Sequence, residues 1–231
     1  MDVWLEFARG PLFAFCFLVM VLGLARHLIL QVYLLLNKGH TLRRVRWSMV
    51  ALDSLGWAIP LRHLIRGTVV LTLASVLFHI GVIVVPLFLG DHVLLWETTL
   101  GFDLPQIGQR TADILTLSTL ACLLVLLFYR IWVPRSRALS RWSDYGLIVA
   151  IVLPFATGFM AAHPAWNPVP WQAMMLIHVL SANLLLVLVP FSKLAHVVLF
   201  PFDRLSQVHW QLKPGAGDKA AAALYGEEAR V

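Results

Sequence analysis

The side chains best suited to hold a redox metal in this sequence are histidines set inside apolar stretches, and two of them share one stretch. Trp171–Pro201, WQAMMLIHVLSANLLLVLVPFSKLAHVVLFP, carries His178 and His196 eighteen residues apart. At about 100° per residue that is five whole turns, so on one helix both imidazoles face the same way, roughly 27 Å apart along the axis. An ionisable ring inside lipid is expensive and marks a functional site by default. Neutral imidazole is a common ligand for haem iron, and two histidines on facing helices hold a b-type haem without a covalent link. Two on one stripe, one toward each membrane face, point to two haem b groups stacked across a bilayer.

Four axial ligands are needed at two depths. A second apolar stretch, 68–95, supplies His79 and His92. If it runs opposite to 171–201, His79 falls level with His196 and His92 level with His178. The phase is less favourable. Thirteen residues separate His79 from His92, which leaves them roughly 140° apart on an ideal helix. Pro86 between them is able to kink the span and shift that phase, or else His92 already lies past the helix. The inner pair, His79 with His196, therefore fits an ideal helix better than the outer pair. The competing interpretation is four core histidines hydrogen-bonded to neighbouring helices, which leaves the two matching depths unexplained. Of the other five, His27, His40, His63 and His209 sit in or near basic loops and read as solvated. His163, beside Trp166 and Asn167, reads as interfacial, with a quinone site as the alternative.

The elements that must position these rings are membrane spans. The sequence has 231 residues, 60% of them hydrophobic and 13% charged, with a mean hydropathy of +0.81; such a composition belongs to integral membrane proteins. Spans are expected at 11–36, 68–95, 111–132, 145–162 and 171–201. The first lacks a small-residue cleavage site and is expected to stay as an anchor. The loop 37–67 is basic (Lys38, Arg43, Arg44, Arg46, Arg62, Arg66), and within it 47–59 suits a short amphipathic surface helix. The loop after the second span holds Glu97 and Asp103, and the next is basic again with Arg130, Arg135, Arg137 and Arg141. The fourth loop carries no formal charge. Positive loops stay inside, so the expected fold is an all-α integral membrane protein, a five-transmembrane-helix bundle with its N-terminus outside and its C-terminus cytoplasmic. Residues 1–202 form the membrane domain and 203–231 a tail for docking a soluble partner.

Other chemistries lack their residues. There is no CxxCH for covalent haem, no HExxH for zinc, no Walker or dinucleotide-binding glycine pattern, and no inverted repeat of a transporter. The net charge of +6 is gathered in loops and implies no nucleic acid. Cys16 and Cys122 fall inside spans and read as packing residues.

LFHIG at 77–81 and the H-x17-H pair closing on PFSKLAH at 190–196 resemble the gamma subunit of respiratory nitrate reductase. The wider family takes in the membrane cytochrome b subunits of heterodisulfide- and sulfite-reductase-linked complexes. The resemblance runs through all five spans in order. It implies that the second and fifth helices supply the axial ligands of two b haems, His79, His178 and His196 by motif and His92 as the fourth. The nitrate reductase members space their second-helix pair more closely than this sequence does. The resemblance also implies a chain of the cell inner membrane that oxidises quinol near the outer haem and passes electrons to a cytoplasmic iron–sulfur subunit. That partner would be heterodisulfide-reductase-like or nitrate-reductase-beta-like, with the tail favouring the first. Such a chain is an electron-transfer subunit, not a stand-alone enzyme. The same path run as quinone reduction, or a haem-free anchor for soluble subunits, are the alternatives. Gly81, Gly90, Ser181 and Ala182 are small enough to let a flat macrocycle near the backbone, though small residues also simply pack helices. Arg62, Arg66 and Arg110 are the loop cations expected to face haem propionates.

Overall fold

The computed structural model describes residues 2–37 and 69–200, with Ser48, Ala51, Leu52, Phe202 and Ala222 besides. The loop carrying His40, His63, Arg62 and Arg66, its amphipathic segment apart from three residues, and the tail with His209 lie outside them.

Among the described residues the structure is helical throughout. In chain order the helices are α1 (Asp2–Arg9), α2 (Pro11–Asn37), α3 (Val69–Phe88), α4 (Gly90–Leu100), α5 (Gln109–Trp132), α6 (Pro134–Leu139), α7 (Trp142–Ala162) and α8 (Trp171–Phe191). Five segments are long and apolar enough to cross a membrane: Asp2–Leu34, Val69–Phe88, Gln109–Trp132, Trp142–Ala162 and Trp171–Phe191. Their large apolar side chains are widely exposed, among them Ile29, Ile114, Leu124 and Phe128. Lipid, not water, is the solvent that makes this favourable.

Two expected spans are broken, and both breaks bear on the histidines. The second stops at Phe88, and Leu89 is extended at φ −64° and ψ 133° before Gly90 opens α4. Pro86 in the last turn of α3 has no N–H to offer the ladder. A helix end leaves carbonyls unsatisfied, and here a side chain and a loop meet them. The Trp96 indole donates to the Pro86 carbonyl at 3.0 Å, while the His92 ring bonds that of Val85 at 3.1 Å, which also accepts the Leu89 amide at 3.2 Å. The Ile107 amide donates to that of Phe88 at 2.8 Å. The break resets the helical phase, so the 140° mismatch of one continuous helix does not apply.

The fifth span, expected to run to Pro201, ends as an α-helix at Phe191. A 3-10 turn, Lys193–Ala195, follows, with Ser192 capping it through a bond from the Leu194 amide. His178 and His196 therefore do not share one continuous helix, and the five-turn argument for a common stripe fails at Ser192.

The chain divides into two compact units, Met1–Val21 with His63–Leu188, and Leu22–Arg62 with Val189–Val231. In the first, α3 packs chiefly on α5, and α5 on α7. Gly81 makes the α3–α5 approach, because any Cβ there would strike Thr119. At the start of α7 the buried Asp144 closes a capping box with Arg141 and lies 3.6 Å from the Arg130 guanidinium. Leu5, Ala8 and Val179 form a small core between α1 and α8. In the second unit, His27 donates from Nε2 to the Pro190 carbonyl at 2.8 Å. This replaces the solvated position expected for it.

Candidate functional site

His92 and His178 meet. Their ring centres lie 5.9 Å apart with the planes 8° from parallel, too far for face-to-face contact. Each ring is held at the same nitrogen. His92 Nδ1 donates to the Val85 carbonyl at the break in α3, and His178 Nδ1 donates to the Pro154 carbonyl of α7 at 2.9 Å. Committing Nδ1–H to a carbonyl fixes the tautomer and leaves Nε2, with its lone pair, as the ligating atom. Metal-bound histidines are oriented in this way.

The separation suits one metal between two rings. With a metal–imidazole bond of about 2.0 Å and about 1.1 Å from nitrogen to ring centre, two axial imidazoles have centres roughly 6 Å apart. Among the described residues no group of three or more His, Cys, Asp or Glu side chains converges on a common point. Two imidazoles alone do not complete the shell of a bare ion, but they do complete that of an iron whose other four ligands come from a porphyrin. The residues present thus fit a bis-histidine haem.

The surroundings are of the same kind. Gly158 of α7 faces the His178 ring, and a Cβ there would lie 2.8 Å from its Cε1. The Phe13 and Phe17 rings of α2 pack on Trp96 of α4 at 5.3 and 5.6 Å, bracing the helix that carries His92. Arg9, at the end of α1, stacks over Trp171 at 5.7 Å. Trp171 and His178 are two turns apart on one face of α8, about 10 Å along the axis. Asn183, buried in α8, donates to the Ala8 carbonyl at 2.9 Å and so caps the turn that presents Arg9.

The other two predicted ligands belong to different units, His79 to the first and His196 to the second. His79, exposed on α3, bonds through Nδ1 to the Ser75 carbonyl at 2.6 Å. His196, exposed just after the 3-10 turn, bonds through Nδ1 to the Lys193 carbonyl at 2.8 Å. Each has the Nδ1-to-carbonyl arrangement seen at His92 and His178.

Gly158, Arg9 and Asn183 were not singled out from sequence. Only Gly158 had a usable signal, a glycine inside an apolar helix. Of the small residues that were, Gly81 packs on α5, Gly90 faces the Gln106 side chain at 3.3 Å, and Ser181 donates to the His178 carbonyl at 2.8 Å. Arg110 is exposed on the first turn of α5.

Five helices long and apolar enough to cross a membrane define the class, a multi-pass helical membrane protein. The chain is 34% identical over 153 residues to a protein of Nitratidesulfovibrio vulgaris (strain Hildenborough) described only as "Protein". The match covers 66% of each chain, so this chain spans just under two thirds of that relative's length. No family model matches the chain, and no solved structure matches it.

Proposed function

We propose that this chain is a di-haem cytochrome b, the membrane subunit of a respiratory oxidoreductase complex in the cell inner membrane. It passes electrons between quinol and a cytoplasmic iron–sulfur partner, with its N-terminus outside. The observation that carries this reading is the His92–His178 pair, with ring planes 8° from parallel, centres 5.9 Å apart and both Nδ1 atoms tied to backbone carbonyls. Haem supplies one-electron exchange at iron. The chain's own residues do the rest. His92 and His178 hold the outer iron through Nε2, and the Val85 and Pro154 carbonyls fix their orientation. Gly158 leaves room beside the ring. Arg9 supplies positive charge at that end for propionates, besides the loop arginines Arg62, Arg66 and Arg110. His79 and His196 are the ligands of the inner haem. The alternating loop charges support the orientation.

A difference spectrum of membranes carrying the chain with its partners, quinol-reduced minus air-oxidised, tests the proposal. The expected result is b-type bands reduced by quinol. Absence of b-type bands in the fully reduced sample would leave the chain a haem-free anchor. Reversal of the path, as quinone reduction, would show as bands oxidised by quinone faster than quinol reduces them.

A further inference from the structure

A second ionisable pair lies near the first. His163, following the last turn of α7, places Nε2 3.3 Å from Asp113 Oδ2 on α5. Its Nδ1 is already committed, donating to the Phe159 carbonyl at 2.9 Å. A neutral imidazole with its proton on Nδ1 has only a lone pair at Nε2, and a lone pair facing a carboxylate oxygen is repulsive. The contact is favourable only when one extra proton lies between the two groups. Nε2 and Oδ2 are thus placed to share one proton. Gln109 donates to the other carboxylate oxygen, Oδ1, at 2.9 Å, which holds Oδ2 toward the ring. Among the described residues no other ionisable side chain is bonded to either group.

Its position gives that proton a use. His163 is five residues beyond Gly158, about 7.5 Å along α7, and Gly158 abuts the His178 ring. Phe159, between them in sequence, stacks on the His163 ring at 4.2 Å. The side chains of His163 and Asp113 remain 30% and 25% exposed, enough to exchange the proton with water.

We infer that His163 and Asp113 are the proton acceptor of the quinol site at the outer end of the chain. This rests on the proposed function and deepens it. The substrate is a para-quinol. One hydroxyl O–H breaks, its proton passes to the part-exposed Asp113 carboxylate, and Nε2 of His163 shares it across the 3.3 Å contact. The matching electron leaves to a ferric acceptor. The pair releases the proton to water and repeats the cycle for the second hydroxyl, leaving quinone, two protons outside and two ferric centres reduced.

The test uses the complex in membranes, with His163→Gln and Asp113→Asn as separate variants. Three quantities are read: haem b content, binding of a heptyl hydroxyquinoline N-oxide as a quinol mimic, and the rate of haem reduction by a short-chain naphthoquinol across pH. The expected result is unchanged haem content and unchanged reduction by dithionite. Reduction by quinol falls about 10²-fold or more, within the range for a lost general base. Its pH dependence flattens, and the mimic binds at least ~10-fold more weakly in His163→Gln. A merely structural tie between α5 and α7 would change neither the pH profile nor mimic binding once haem content is intact. Wild-type rates, pH profile and mimic affinity in both variants would overturn this inference alone. A wild-type complex whose haem is not reduced by quinol would overturn it together with the function it rests on. If one variant loses haem, the other is read by the same criteria.

Discussion

The His92 imidazole, on a short helix restarted after a break, faces the His178 imidazole of α8 with ring centres 5.9 Å apart and planes 8° from parallel. The break restarts the helical phase at Gly90, and the His92 Nδ1–H then reaches back to the Val85 carbonyl at 3.1 Å. Consequences for haem content, potential and stability follow from this arrangement.

Gly158→Val forces a branched side chain into the place where a Cβ alone would lie 2.8 Å from His178 Cε1. Overpacking of this kind costs about 1–3 kcal/mol. The expected outcome is loss or spectral disturbance of the outer haem with the inner haem retained, read by redox titration of the b bands.

Arg9→Gln removes the positive charge held over Trp171, two turns from His178 on α8. A nearby cation favours the ferrous form, which carries one positive charge fewer. The midpoint potential of the outer haem is expected to fall, by about 60 mV for each tenfold loss of that preference in a one-electron couple. The inner haem keeps its potential. Equal shifts at both haems would place Arg9 away from the outer site.

His79→Ala and His196→Ala should each remove one haem and leave the same remaining spectrum, that of the centre held by His92 and His178. Different residual spectra in the two variants would show that they do not ligate a common iron.

Asp144→Ala deletes the acceptor of the Arg141 amide at the start of α7, a bond of 2.9 Å, and the partner of Arg130. Loss of such a cap costs about 1 kcal/mol. The expected outcome is a lower midpoint of thermal unfolding in detergent with haem content unchanged at low temperature, since the cap lies at the opposite end of α7 from Gly158.

Much of the fold is legible in the sequence, because twenty apolar residues in a row have one physical use. All five spans appear in order, and α5 and α7 begin within three residues of their expected starts. The candidate site is legible in part. The four histidines stand out because polar rings are rare in lipid, and the structure brings two of them, His92 and His178, together. Ideal helical phase misleads at both ends, however. It disfavours His92, which the break at Leu89 turns toward His178, and it favours a stripe from His178 to His196 that Ser192 interrupts. Helix breaks depend on where freed carbonyls find donors, here the Trp96 ring and the Ile107 amide. Those donors come from the fold and not from local propensity. The same holds for Arg9 and Asp113, ordinary charges until α1 and α5 carry them to Trp171 and His163.

The haem-to-protein ratio of purified His92→Ala, set beside the wild type, tests the central claim most directly. The account predicts two haem b per chain in the wild type and one in the variant, with the inner centre spectrally unchanged. Two haems in His92→Ala would contradict it and give the outer iron a different ligand.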